Sequence, residues 1–311
     1  MTIPLPELEG VEHRFIELPS GLRMHTAEAG SGDPVLLLHG WPEHWWAWRR
    51  VIPGLAARYR LVCPDLRGFG WSGAPQGSYD TERLAEDIVE LLDALELERV
   101  RIIGHDWGGF VAFLICLHHP ARVERCVAIS TAHPFPPIDA RSLVTFWRFW
   151  YQLVIATPRL GPWCVGGGRQ QFMHFLHRWN GVPSPWSPEE MELFLAPLRE
   201  PARAKASSAL YRTFLLGLLP FLRGRYKSLR LRTPTLFLQG TRDPVLRPAF
   251  MRGFEPYADD MTLELVEGCG HLMPEERPEV VLSRATAFFA GEAGGLRAPP
   301  PTPPDPAAPG Q

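Results

Sequence analysis

The chain predicts an α/β fold: a mostly parallel sheet flanked by helices, with a helical cap inserted between two halves of the core. Three observations carry this. Short apolar runs of strand type alternate with helical patterns in the first part of the chain, the strand signal stops over a long middle stretch, and it resumes towards the C-terminal end. The first runs are Val35-Leu36-Leu37-Leu38, Arg60-Leu61-Val62-Cys63, Val100 to Ile103 and Val123 to Ile129. Strands buried on both faces read in this way, nearly continuously apolar. Between the second and third, Leu84, Ile88, Leu91, Leu92 and Leu95 recur at helical spacing and would lay one apolar face on the sheet. Gly109 to His119 reads as the next helix, stopped by Pro120.

From about Ala132 to Ser228, aromatic and arginine-rich helical stretches replace the strands. Starts such as Ser187-Pro188-Glu189-Glu190 place a capping serine before a proline in the first turn. Strands return at Thr235-Leu236-Phe237-Leu238 and Thr262 to Val266, and a last helix runs from about Pro278 to Phe289. The expected organisation is therefore a core from 1–131 and 229–292, a helical cap at 132–228 and a tail at 293–311. That tail, rich in Gly, Ala and Pro, cannot bury a core and is expected to be disordered or polyproline-like.

With 311 residues and a net charge of −2 the chain suits a globular protein, and it shows no concentrated basic patch of the kind that binds nucleic acid. The five cysteines, Cys63, Cys116, Cys126, Cys164 and Cys269, lack metal-ligand spacing and are expected to be buried thiols in a reducing compartment. No basic region followed by an apolar run opens the chain, so no signal peptide is expected. The longest apolar stretch, Phe214 to Leu222, is too short to span a bilayer and is broken by Gly217 and Pro220. A cytoplasmic protein without a transmembrane segment is the expectation.

The chemistry is concentrated after the third strand, in Gly104-His105-Asp106-Trp107-Gly108-Gly109. Small residues two before and two after the central one permit a sharp strand-to-helix turn that exposes its side chain. Serine at such a turn forms acyl-enzymes, whereas a carboxylate attacking an ester would form a poorly productive anhydride. Aspartate there implies attack on a saturated carbon bearing a leaving group: alkyl transfer onto Asp106, then hydrolysis of the resulting ester. Turnover requires a base to activate water. His271, in Gly268-Cys269-Gly270-His271, follows the last strand, and Asp243, in Gly240-Thr241-Arg242-Asp243-Pro244, follows the strand before it and would orient the imidazole. Open α/β sheets gather their sites at that carboxyl edge.

Taken singly, Asp106 also reads as a helix cap, His271 as a surface-loop histidine and Asp243 as a turn residue. Together they are three required types, each after its own strand, in the chain order expected of the α/β-hydrolase fold. Asp259 and Asp260 precede a strand, and His118 and His119 end a helix, so neither pair competes. The oxyanion of the hydrolytic step needs backbone N–H donors, assigned to Trp107 and to Trp41 in His39-Gly40-Trp41-Pro42. Asp65-Leu66-Arg67-Gly68-Phe69-Gly70 reads as a structural loop.

The stretches His39 to Trp45, Pro64 to Gly70 and Gly104 to Gly109 resemble motifs of the epoxide hydrolases within the α/β-hydrolase superfamily, and the resemblance covers nearly everything except the tail. It implies Asp106, Asp243 and His271 as nucleophile, acid and base, and two cap tyrosines over the nucleophile, for which Trp150-Tyr151-Gln152 and Leu210-Tyr211-Arg212 are the matching sites. An opening epoxide becomes an alkoxide that benefits from an acid, and a phenol of pKa ~10 suits that task. Haloalkane dehalogenases share the aspartate and the tryptophan after it and stand as the alternative. They often carry asparagine after His-Gly, where this chain has Trp41, although Trp147 or Trp150 could take its place. Fluoroacetate dehalogenases hold a carboxylate with arginines beside the nucleophile, where Trp107 and Phe110 stand here. A ligand-binding homologue without catalysis is a third reading, against which every expected residue type is present. The resemblance thus implies a hydrolase acting on ether bonds, converting an apolar epoxide and water to a vicinal diol with no metal or organic cofactor. Trp107, Trp147 and Trp150 are expected to bind substrate, with Trp163, Phe172 and Phe175 completing an apolar lining.

Overall fold

Apolar runs become strands here because burying both faces leaves no polar edge except the backbone, which pairs along the sheet. The computed structural model describes residues 4–136, 146–179, 185–247 and 250–291. The strands are β1 (Val11–Glu17), β2 (Arg23–Ala29), β3 (Pro34–Leu38), β4 (Arg60–Pro64), β5 (Val100–His105), β6 (Val123–Ile129), β7 (Thr235–Gly240) and β8 (Met261–Val266). They form one eight-stranded sheet in the order β1-β2-β4-β3-β5-β6-β7-β8. The β1–β2 and β2–β4 pairs are antiparallel and the rest parallel. The fold is therefore of the expected α/β class.

The helices are α1 (Ile52–Ala56), α2 (Thr81–Ala94), α3 (Trp107–His118), α4 (Trp150–Ala156), α5 (Leu160–Gly166), α6 (Gln171–Trp179), α7 (Pro188–Leu195), α8 (Pro201–Leu222), α9 (Met273–Glu276) and α10 (Pro278–Phe289). Successive side chains of a strand point to opposite faces, and two cores follow. Leu36 and Leu38 join Leu84, Ile88, Leu91 and Leu92 of α2 and Trp107 and Phe110 to Leu117 of α3 on one face. Val35 and Leu37 join Ile52 and Leu55 of α1 and Val281, Phe288 and Phe289 of α10 on the other.

The β1–β2 hairpin escapes the apolar-run signal because its residues are largely polar. Its one deeply buried imidazole, His25, is satisfied by Asp65 at 2.8 Å. Asp65 also accepts the Trp45 and Trp71 amides, each at 2.8 Å, so the loop after β4 is scaffold. The stretch Phe214 to Leu222 also differs from expectation: it is the end of α8, and neither Gly217 nor Pro220 interrupts it. Pro220 is exposed and sits in the last turn, where the carbonyl left without its N–H reaches water. Among the described residues no helix is long and apolar enough to cross a membrane. All five cysteines are buried and unpaired.

Between β6 and β7 the described chain is helical, and α4 to α8 cover the carboxyl edge of the sheet as a cap. Polar ties between cap and core hold it down, two of them made by Arg49 and Trp41. Arg49 of the core pairs with both Glu275 and, at 2.5 Å, Glu190, which is itself part of a capping box with Ser187 at the start of α7. The Trp41 indole N–H donates to Ser207 Oγ of α8 at 3.1 Å.

Candidate active site

The strand order changes direction at β3, with β4 on one side and β5 on the other, and the loops leaving β3 and β5 meet in the crevice that results. Asp106 leaves β5 with φ 49° and ψ −120°, and its side chain makes no helix-capping bond to α3. Its backbone is pinned on both sides: its N–H donates to Ile129 O at 3.1 Å and its C=O accepts from Thr131 Oγ1 at 2.7 Å. An aspartate held at positive φ without capping its helix is strain spent on presenting the carboxylate.

Two glycines permit this turn. A Cβ on Gly104 would stand 2.5 Å from Gly108 O and 2.7 Å from Gly109 Cα, and one on Gly108 would stand 2.3 Å from Leu38 O. These are backbone atoms and cannot yield as a flexible side chain does. Gly104→Ala is therefore expected to lower stability by about 1–3 kcal/mol, read as a shift in the urea midpoint, and to reduce activity with it.

The carboxylate meets its neighbours as follows. The Trp41 amide donates to Asp106 Oδ2 at 2.9 Å. The Trp107 amide is the first of α3, so it has no carbonyl to serve within the helix. His271 Nε2 lies 3.7 Å from Asp106 Oδ1, while its Nδ1 lies 2.8 Å from Asp243 Oδ2. Asp243 is buried and held by the Val245 and Leu246 amides at 2.8 Å and by Gln239 Nε2 at 2.9 Å. The two amides occupy Oδ1, so Oδ2, which also accepts from Gln239, faces the imidazole. The three residues expected to act together are thus brought together.

Burial opposes charge on His271, but the carboxylates of Asp243 and Asp106 outweigh it and hold its pKa well above the ordinary value. Burial likewise works against the Asp106 carboxylate, yet the His271 contact, the His105 charge and the Trp41 amide bring its pKa below the usual range. At neutral pH the pair rests as imidazolium and carboxylate.

Tyr151 on α4 and Tyr211 on α8 are buried over this carboxylate, with ring centroids 6.1 Å apart. Tyr211 sits edge-on to Trp41 at 5.1 Å and Trp107 at 5.4 Å. Burial pushes both phenols well above their ordinary pKa, with the Asp106 charge adding to it, so both remain protonated donors.

One cavity of about 510 Å³ is lined by Asp106, His271, both tyrosines and an apolar wall. Trp107, Trp147 and Trp150 line it as expected, but Trp163, Phe172 and Phe175 do not. Trp163 and Phe175 turn to the surface, and Phe172 packs edge-on behind Trp150 at 6.0 Å. Among the described residues the lining holds no lysine, arginine or glutamate. Burial brings His133 and His177, also in the wall, down to about 4, so both are neutral. Among the described residues no cluster of His, Cys, Asp or Glu could hold a metal ion.

Two residues without an assigned role in the sequence reading prove central to the geometry. His105 Nδ1 lies 2.9 Å from Glu43 Oε2 and its Nε2 lies 2.8 Å from the His271 carbonyl. Both partners only accept, so both nitrogens donate and His105 is an imidazolium. Burial opposes that charge, but Glu43 outweighs it and raises the pKa. His105 thereby ties the strand that leads into Asp106 to the loop carrying His271. The available signal was a histidine and a glutamate inside two apolar-flanked motifs.

Residues 33–161 match the family model of the alpha/beta hydrolase fold. The chain is 32% identical to a soluble epoxide hydrolase of Corynebacterium sp. (strain C12) over 285 residues, 87% of this chain and 95% of that one. It is also 32% identical to epoxide hydrolase A of Mycobacterium tuberculosis over 309 residues, 88% of this chain and 95% of its relative. The solved structure of the epoxide hydrolase CorEH superposes with a TM-score of 0.78 at 29% identity, over 90% of this chain and 99% of that one. With a sharp strand-to-helix turn presenting Asp106 and this similarity spanning nearly whole relatives, the chain belongs to the epoxide hydrolase family of the α/β-hydrolase fold.

Proposed function

We propose that this protein hydrolyses an uncharged, apolar epoxide to a vicinal diol through a covalent ester on Asp106. The observation that carries the reading is the pair of buried, protonated phenols in one cavity with an ionised aspartate at positive φ. A halide would leave as a stable anion and has no need of them, whereas an epoxide oxygen takes up a proton as it leaves. The cationless lining suits a neutral substrate over a carboxylate-bearing one.

In the first step the epoxide oxygen accepts hydrogen bonds from Tyr151 and Tyr211. Asp106 Oδ1 attacks a ring carbon, the C–O bond breaks, and one phenol gives its proton to the departing oxygen. Asp106 is now an uncharged ester, so one of the two carboxylates that raised the His271 pKa is gone. His271 releases its proton to restore the phenol and becomes the neutral base. It then takes a proton from water as that water attacks the ester carbonyl. Oδ2, already held by the Trp41 amide, carries the oxyanion charge with the Trp107 amide as second donor. The glycol oxygen departs with the water's second proton, which returns Asp106 as carboxylate and His271 as imidazolium. Asp243 keeps the imidazole oriented throughout. No step calls for a metal or organic cofactor.

A side-by-side assay of a terminal aryl epoxide and a primary alkyl bromide tests the substrate class. Diol is expected from the first with little halide from the second; halide release exceeding diol formation would move the protein to the dehalogenases.

A further inference from the structure

The near-zero net charge conceals a segregation. The described cap residues 146–179 and 185–228 hold eleven of the chain's 32 basic residues against four of its 34 acidic ones, Glu189, Glu190, Glu192 and Glu200, and the last three of these are ion-paired. Arg225 and Arg203 are paired with Glu82 and Glu200, but Arg159, Arg169, Arg178, Lys205 and Arg223 are exposed without an ion pair among the described residues.

The same stretches carry the molecule's exposed apolar side chains: among the described residues, seven of nine large ones lie there. Trp147 is 61% exposed and Leu153 is 63% exposed, yet both also line the active-site cavity, so they mark its mouth. Leu216, 77% exposed, and Leu219, 55% exposed, alternate on α8 with Leu215 and Leu218, which line the same cavity. A monomer gains nothing in water from an apolar rim of this kind.

Exposed tryptophan and leucine among arginines in excess over acid is the composition that settles at a lipid–water interface. The apolar groups enter the acyl boundary and the cations meet anionic headgroups. An acidic protein partner would satisfy the charge but not an apolar rim opening into an apolar cavity. We infer that this cap face docks peripherally on an anionic lipid surface, so that an apolar substrate passes from the lipid phase into the cavity without crossing water. The docking goes beyond the proposed reaction and can be read without turnover.

The test sediments the full chain with vesicles of phosphatidylcholine containing phosphatidylglycerol, or of phosphatidylcholine alone, at low and high salt. Binding is expected with the anionic vesicles, weakened by salt. Two sets of substitutions, Arg159→Glu/Arg169→Glu/Arg223→Glu and Leu216→Ser/Leu219→Ser, are each expected to lower it by roughly tenfold or more. Hydrolysis of a small water-soluble epoxide without vesicles should stay unchanged in both. Equal binding to neutral and anionic vesicles, or undiminished binding after charge reversal, would overturn the inference. So would an absence of binding to the anionic vesicles, and a dimer that the Leu216→Ser/Leu219→Ser variant abolishes in sedimentation equilibrium would then assign the face to a second copy.

Discussion

Replacing His271 with glutamine is expected to stop the reaction halfway, leaving alkylated enzyme. Asp106 remains ionised and the phenols remain in place, so the first step proceeds. Without a base, ester hydrolysis falls by roughly 10³–10⁴. Mass spectrometry of His271→Gln after exposure to an epoxide should show the substrate's mass added to the Asp106 peptide; only unmodified peptide would remove His271 from its role. Acid should reproduce the effect in the unaltered enzyme. The Asp106 pKa is lowered, so alkylation persists as pH falls, whereas hydrolysis needs neutral His271 and slows about tenfold per pH unit below its pKa in the ester form. Ester should therefore accumulate on the acid side in rapid-quench experiments. Loss of both steps together would mean that Asp106 and His271 titrate as one unit.

The largest effect on the first step is expected from Tyr151→Phe together with Tyr211→Phe. Each substitution removes only an oxygen from a buried ring, so the edge contacts of Tyr211 with Trp41 and Trp107 are kept and the fold should survive. The opening epoxide then leaves as an unprotonated alkoxide inside an apolar cavity. Alkylation should fall by at least roughly 10³, with either single substitution milder because the other phenol still donates. Stopped-flow quenching of Trp107 fluorescence on alkylation would report the rate. An unchanged rate in the double variant would leave the two phenols as packing residues.

How much of this was legible in the sequence depended on whether the signal was local. The elbow was readable because Gly104, Asp106 and Gly108 encode their own turn, and the strands because β3 to β7 contain apolar runs and β8 alternates apolar with polar residues. The β1–β2 hairpin was not, since its polar residues become strand only by pairing with β4 and lending His25 to Asp65. The His105–Glu43 pair joins residues 62 apart, and nothing in either neighbourhood announces the other. Cap aromatics were harder still: apolar spacing marks a helix face but not whether that face meets a cavity, a neighbour or solvent. Trp150 lines the cavity, Phe172 packs behind it and Trp163 lies at the surface, although all three look alike in sequence. The cavity wall was therefore only half readable.

The central claim is that the oxygen added to the substrate comes from Asp106 and not directly from water. A single turnover in ¹⁸O water, with enzyme in excess over epoxide, tests it. The diol should carry no label and Asp106 should gain it, because water attacks the ester carbonyl. Label appearing in the diol of the first turnover would contradict the covalent route and leave Asp106 as a general base.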